Sequence, residues 1–250
     1  MKNVQDTLEW LLGRNGEIVI HSFAVEHGCT AFDIGGTGHE SAPLLNKQDR
    51  NTIAPDAVLI RNQPIWAEYK TKTDVYDPGK GVHQLWEDMG IQGAPWCFYH
   101  GIPSHSYNAY KVVDKPEMPV VLWFLTRKTG LLHVAPLFSL TPYPSVIPKT
   151  FDIVNFPLTQ MTPVAAFHKN NLSRFFDSSR SNDLPNPERR KLLMDWLAPE
   201  QLEFASFTDH FLDALEKRRW QRNGRPAQAP PGRPRQPGQG GDDEEAAGRG

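Results

Sequence analysis

The chain has 250 residues, 27 Lys plus Arg against 29 Asp plus Glu, and a formal net charge of −2 at pH 7, with 39% hydrophobic residues. That length holds one large domain with appendages, and the charge balance excludes a global basic field while leaving room for a local positive groove. Cys29 and Cys97 are too few for a disulfide framework or a zinc site of their own; with no apolar run of membrane-spanning length and no signal-peptide pattern, a soluble cytoplasmic protein with no membrane partner is expected.

Residues 3–12 place Val4, Leu8, Leu11 and Leu12 at helical spacing, and Gly13-Arg14-Asn15-Gly16 interrupts the pattern. A second helix is read from Glu17 to His27, closed by Gly28 as a C′ glycine, although Ile18-Val19-Ile20 also suits a strand. Cys29 to Ile34 reads as a strand. Residues 35–54 are glycine-rich and then polar, a loop that orders on binding. Gly35-Gly36-Thr37-Gly38 either brings N–H groups to a phosphate or simply turns, and it lacks the lysine of a P-loop.

The stretch from Pro55 to Lys70 is the centre around which the chain is organised. Two apolar runs flank Arg61-Asn62-Gln63-Pro64, a natural turn, so the stretch reads as a β-hairpin. Residues i and i+2 of a strand share a face, so Glu68 and Lys70 project together and Tyr69 points to the core. Asp56, entering the first strand, is expected to approach that face. Two carboxylates and an ammonium then share a patch beside Ala57, Leu59, Ile65 and Ala67. As chemistry, this is a place for Mg²⁺, with Mn²⁺ as a substitute, and a lysine that orients water or phosphate. As surface, it is an exposed ion pair that contributes little.

Downstream, a helix from Val82 to Met89, stopped by Gly90, presents His83, Gln84 and Glu87. Pro95 to His100 reads as a strand ended by Gly101-Ile102-Pro103. Val120–Thr126 and Leu131–Leu137 read as a hairpin around Arg127-Lys128-Thr129-Gly130. The order suits an α/β fold, one mixed central sheet with flanking helices. Residues 141–165 contain five prolines and read as an ordered loop around the core. Short helices are expected at Leu172–Phe176 and Glu188–Leu197, and a longer one from Pro199 to Gln221. From Asn223 onward Pro, Gly, Gln and Arg precede Asp242-Asp243-Glu244-Glu245, a composition that reads as disordered. The expected organisation is a core over 1–140, a wrap with C-terminal helices packed on it over 141–222, and a tail over 223–250.

Pro55-Asp56 and, after an eleven-residue gap, Glu68-Tyr69-Lys70, with Gln84 on the next helix, resemble the PD-(D/E)XK nuclease superfamily. Gly13-x₃-Glu17-x₁₀-Gly28 before the strand at 29–34 resembles the opening of its Holliday-junction-resolvase-like members. The resemblance covers residues 13–100, less than half of the chain. It implies a restriction-endonuclease-like core with a C-terminal helical extension. It implies Asp56 and Glu68 as metal ligands, Glu17 as an accessory acidic ligand, Lys70 as the catalytic lysine and Gln84 as an accessory polar residue near the phosphate. The implied activity is that of a Mg²⁺-dependent endodeoxyribonuclease acting on DNA, and many such members are homodimers.

Each residue also has a plainer reading. Glu17 suits the positive end of a helix dipole, Gln84 an exposed helix face, and Lys72 an edge strand rather than a DNA backbone. His83 is either a phosphate contact or a solvated residue. Trp66, Trp86, Trp96 and Tyr99 serve as core, with base stacking as the alternative. For the whole chain the alternatives are a catalytically inactive nucleic-acid-binding protein on the same fold and an assembly protein that recruits a partner through its tail.

Overall fold

Helix α1 (Val4–Glu26) runs unbroken through the Gly13–Gly16 stretch, where the sequence suggested an interruption. The reason is tertiary. A Cβ on Gly16 would overlap the Thr71 side chain, and Thr71 Oγ1 donates to the Gly13 carbonyl at 3.4 Å. Glycine costs a helix roughly 1 kcal/mol relative to alanine, and here it lets α1 lie directly against a strand. The computed structural model describes residues 4–34, 54–146, 152–178, 200–201 and 204–223. The expected helix at 188–197, most of the loop at 35–54 and the tail from 224 lie outside the described residues.

Strands β1 (Thr30–Asp33), β2 (Ala57–Ile60) and β3 (Pro64–Lys72) form an antiparallel meander, with the hairpin where the sequence placed it. Helix α2 (Gly79–Asp88), β4 (Tyr99–Pro103) and helix α3 (Ser104–Val113) then carry the chain over to β5 (Val120–Thr126), which pairs parallel with β3. β6 (Leu131–Pro136) returns antiparallel to β5, through a turn whose Gly130 has φ +77 and sits under the Phe167 carbonyl with no room for a Cβ. Expectation and structure differ at β4, which begins at Tyr99 near the end of the expected strand, and at α3, where no element was expected.

The proline-rich 141–165 region is also more regular than expected. It supplies β7 (Tyr143–Pro144), β8 (Ile153–Pro157) and β9 (Thr162–Ala166). Pro144 and Pro157 end their strands and Pro163 lies near a strand start beside a register shift, positions that tolerate a missing N–H. After helix α4 (Lys169–Ser178), β10 (Glu200–Gln201) and helix α5 (Phe204–Asn223) complete the described chain. The α/β fold is thus built on a mixed sheet, ordered β1-β2-β3-β5-β6-β9-β10, with a small antiparallel sheet ordered β4-β8-β7.

The two faces of the main sheet carry separate cores. Val19, Ile20 and Phe23 of α1, Phe175 and Phe176 of α4, and Phe207 and Phe211 of α5 cover one face with Tyr69 and Trp123 beneath them. Ala109 and Tyr110 of α3 and Val154 and Phe156 of the small sheet cover the other, over Leu122 and Phe124. Covered on both sides, β5 is apolar almost throughout and buried along its length. Arg218 fastens α5, reaching the Asp114 carboxylate at 3.0 Å while lying over the Phe138 ring, and Asp114 also accepts the Val120 N–H. Among the described residues no helix is long and apolar enough to cross a membrane.

Candidate active site

Strand alternation divides β3 between the two cores. Ala67 and Tyr69 join Ala57 and Leu59 in the core under α1. Glu68 and Lys70 therefore face the opposite side, so the expected apolar surround of Ala57, Leu59, Ile65 and Ala67 belongs to the other face. Ala57 pairs with Ala67 across the hairpin, which puts Asp56 opposite Glu68, one step out on each strand. Asp56 Oδ2 accepts the Tyr69 N–H at 2.7 Å.

Glu68 is only 1% exposed, and its Oε1 is ion-paired with Lys70 Nζ. Among the described residues its Oε2 is buried with no hydrogen-bond partner. The Tyr110 hydroxyl of α3 faces the same carboxylate and stabilises its charge. Burial nevertheless dominates: it pushes the Glu68 carboxyl up to about 7, with the Asp56 charge adding to the rise and Lys70 opposing it. Lys70 is pulled down by burial, but the charges of Glu68, Asp56 and Glu17 outweigh it and hold the amine above the ordinary lysine range. Both groups therefore shift upward for different reasons: burial wins at the almost sealed Glu68, and the neighbouring negative charges win at Lys70, whose side chain keeps 28% of its exposure. Burial and the Glu68 charge raise Tyr110 well above the ordinary tyrosine range, so it remains a hydrogen-bond donor.

Glu17 reaches this end of the sheet from α1, since both Lys70 and Tyr69 feel its charge. The close approach at Gly16 places it there. Among the described residues no group of three or more His, Cys, Asp or Glu side chains stands assembled as a metal cage. Glu68 is instead turned to Lys70, and Asp56 to the backbone.

Among the described residues no hydrogen bond or ion pair ties Gln84 to this patch. It is exposed on α2 and its Nε2 donates to Asp88 Oδ1 at 3.1 Å, while Val82 and Trp86 pack the helix into a third small core with Tyr99 and Tyr143. His83 is not solvated: it is buried and stacked on Trp96, with ring centroids 3.8 Å apart. Trp86 and Tyr99 are core, as expected of them, but Trp96 is 68% exposed. Lys72 is half-buried at the end of β3, past the last residue with a β2 partner, and pairs with Thr126 of β5; burial, then the charge of Lys70, bring its amine down to about 8.

Two features had no counterpart in the sequence reading. Tyr110 is one; Tyr107, Tyr110 and Val113 recur at helical spacing, a pattern that would have revealed α3. The other is His100, whose Nε2 bonds Thr126 Oγ1 at 3.0 Å and whose ring stacks on Phe124. Burial and His133 push it down to about 3, so it stays neutral. No family model matches the chain, and no curated protein matches its sequence.

Proposed function

We propose that the chain is a Mg²⁺-dependent deoxyribonuclease that hydrolyses DNA phosphodiester bonds as an endonuclease, on a restriction-endonuclease-like core with a C-terminal helical extension. The observation that carries the reading is the Glu68 carboxylate, buried beside Lys70 with one oxygen that has no hydrogen-bond partner among the described residues. Leaving a buried acceptor unsatisfied costs about 1–3 kcal/mol, and a buried ion pair is at best a weak stabiliser. A purely structural role does not account for that cost; a cation ligand does. The topology supports the same reading, with α1 packed on an antiparallel meander and a crossover into parallel β5.

The donor set suits a hard cation: Glu68 Oε2 and the Asp56 carboxylate would hold it, with Glu17 adding negative charge from α1. Once bound, such an ion supplies a water of lowered pKa and offsets charge on the phosphate. The remaining work falls to the chain. Lys70 Nζ stays protonated, favours the ionised form of Glu68 and orients the attacking water against the phosphate oxygens. Tyr110 holds its proton toward Glu68 and fixes the carboxylate from behind. Water protonates the departing 3′-oxygen.

The test is a cleavage panel of linear duplex, single-stranded, flap and four-way-junction DNA with Mg²⁺ or Mn²⁺, each repeated with chelator. Cleavage of at least one form that stops on chelation is expected. Binding without cleavage in every form, indifferent to chelator, would replace the hydrolase with a nucleic-acid-binding protein.

A further inference from the structure

One residue pair beyond Lys70, β3 carries another lysine on the same face, and it opens onto a cavity without a role in the hydrolysis above. The cavity, about 170 Å³, is lined by Lys72 and Asp74 together with Tyr76, His100, Ser145 and Asn155. Among the described residues the Lys72 amine has no ion pair or hydrogen bond. Asp74, the acidic group in the wall, is already engaged by Lys128 at 2.6 Å and by the Val75 N–H at 2.9 Å. His100 is neutral and holds Thr126, and burial keeps the Tyr76 phenol protonated. The cavity therefore presents the Lys72 ammonium, favoured by the charge of Glu68 but in no direct ion pair among the described residues, beside an Asp74 carboxylate already engaged by Lys128 and otherwise uncharged polar groups, and that combination selects an anion.

Position narrows the choice. On an extended strand, residues i and i+2 stand roughly 6.6 Å apart, a step comparable with that between successive phosphates of a nucleic-acid strand. A strand whose scissile phosphate lies at Lys70 would bring its neighbouring phosphate to Lys72. We infer that this cavity is a second phosphate subsite, receiving the backbone phosphate one nucleotide from the scissile one; the inference rests on the proposed hydrolase reading. Burial and Lys70 already disfavour charge on Lys72, and a bound phosphate reverses that penalty.

The test uses a fluorescein-labelled single-stranded oligonucleotide with divalent ions chelated, so that anisotropy reads binding without cleavage. Lys72→Gln is expected to weaken affinity roughly tenfold, the loss of one charged hydrogen bond. It should also flatten the slope of log affinity against log salt by about 0.7, one phosphate contact on a single strand. Lys72→Arg should retain most of both. Asn155→Asp, which adds a carboxylate to the wall, should weaken binding as Lys72→Gln does. Melting temperatures matching the wild type show that each variant folds. Equal affinity and equal slope for wild type and Lys72→Gln would overturn the subsite, and leave the hydrolase standing if the wild type cleaves. A wild type that neither binds nor cleaves removes the hydrolase instead, and inorganic phosphate then decides the cavity. A phosphate-dependent rise in melting temperature that Lys72→Gln abolishes keeps an anion site there for free phosphate. An equal rise in both proteins, or none, removes it.

Discussion

On one face of β3, Ala67 and Tyr69 pack beneath α1 in a core of aliphatic and aromatic side chains; on the other, Glu68 and Lys70 lie under α3, ion-paired and facing Tyr110. Glu68 and Tyr69 are adjacent and almost equally buried, at 1% and 3% exposure. The Tyr69 face is explained by apolar burial, which favours folding at about 25 cal/mol per Å². The Glu68 face works against folding, because burying charge is expensive even when it is paired. Two neighbouring positions with the same burial thus have opposite stability signs, and the proposed cation centre lies on the polar one.

The sharpest way to break the contrast is to neutralise each face in turn. Glu68→Gln should lower single-turnover cleavage at least about 100-fold, the scale of losing an electrostatic group in a preorganised site, while leaving the melting temperature unchanged or higher. Tyr69→Phe should spare the chemistry. Its hydroxyl is buried with no hydrogen-bond partner among the described residues, so its removal should leave cleavage intact and stability equal or slightly raised. Calorimetry and rapid-quench kinetics on the two variants compare them directly; a Glu68→Gln protein that cleaves normally would dissolve the distinction.

A smaller effect should appear where α1 meets β3. Gly16→Ala forces a Cβ into Thr71, and overpacking of this kind costs about 1–3 kcal/mol. Because Glu17 is the next residue, cleavage should fall as well. Denaturant melts should show Thr71→Ala restoring part of both losses, whereas an unperturbed Gly16→Ala protein would mean that α1 does not rest on the strand.

The pH dependence is set by Glu68. Its folded carboxyl holds its proton up to about 7, against an ordinary 4.5. Its contribution to stability is therefore fully present below pH 4.5 and lost as pH rises through 7. Activity runs the other way, because only the carboxylate can hold a cation: kcat/KM should climb through a midpoint near 7 and saturate above it. Tyr110→Phe removes a hydrogen bond that favours the carboxylate; the midpoint should move to higher pH, with activity at pH 6 falling several-fold for each half unit or so of shift. A pH profile unchanged by this substitution would separate Tyr110 from the site. The smallest effect belongs to Gln84→Ala, expected within about twofold of wild type because Gln84 bonds only its own helix neighbour Asp88. A large loss in the same cleavage assay would show that α2 approaches the DNA.

The hairpin was legible from sequence because its information is local. A turn between two apolar runs fixes the strands, and the period of two fixes that Glu68 and Lys70 share a face and that Tyr69 does not. What lay beyond reach came from distant chain. Nothing near Gly13 or Gly16 announces Thr71, 55 residues or more away, so two glycines read as a break in a helix that packing makes continuous. Gln84 sits at a suggestive spacing, but Trp86 draws α2 onto the small sheet and turns that face outward. The strands at 153–157 and 162–166 were hidden by prolines that fall at strand ends. The unpartnered Glu68 oxygen, on which the functional reading stands, depends on α3 closing over β3, a contact between elements some 40 residues apart.

Plasmid nicking by Asp56→Asn beside the wild type, in Mg²⁺ and again in chelator, tests the central claim most directly. The substituted amide keeps an oxygen to accept the Tyr69 N–H and so preserves the hairpin, while the charge next to Glu68 is removed. Nicking by the wild type that stops on chelation, with a loss of at least about 100-fold in a variant of unchanged melting temperature, is the expected result. Equal nicking by the two proteins, or nicking that persists in chelator, would contradict a cation-dependent centre at Asp56, Glu68 and Lys70.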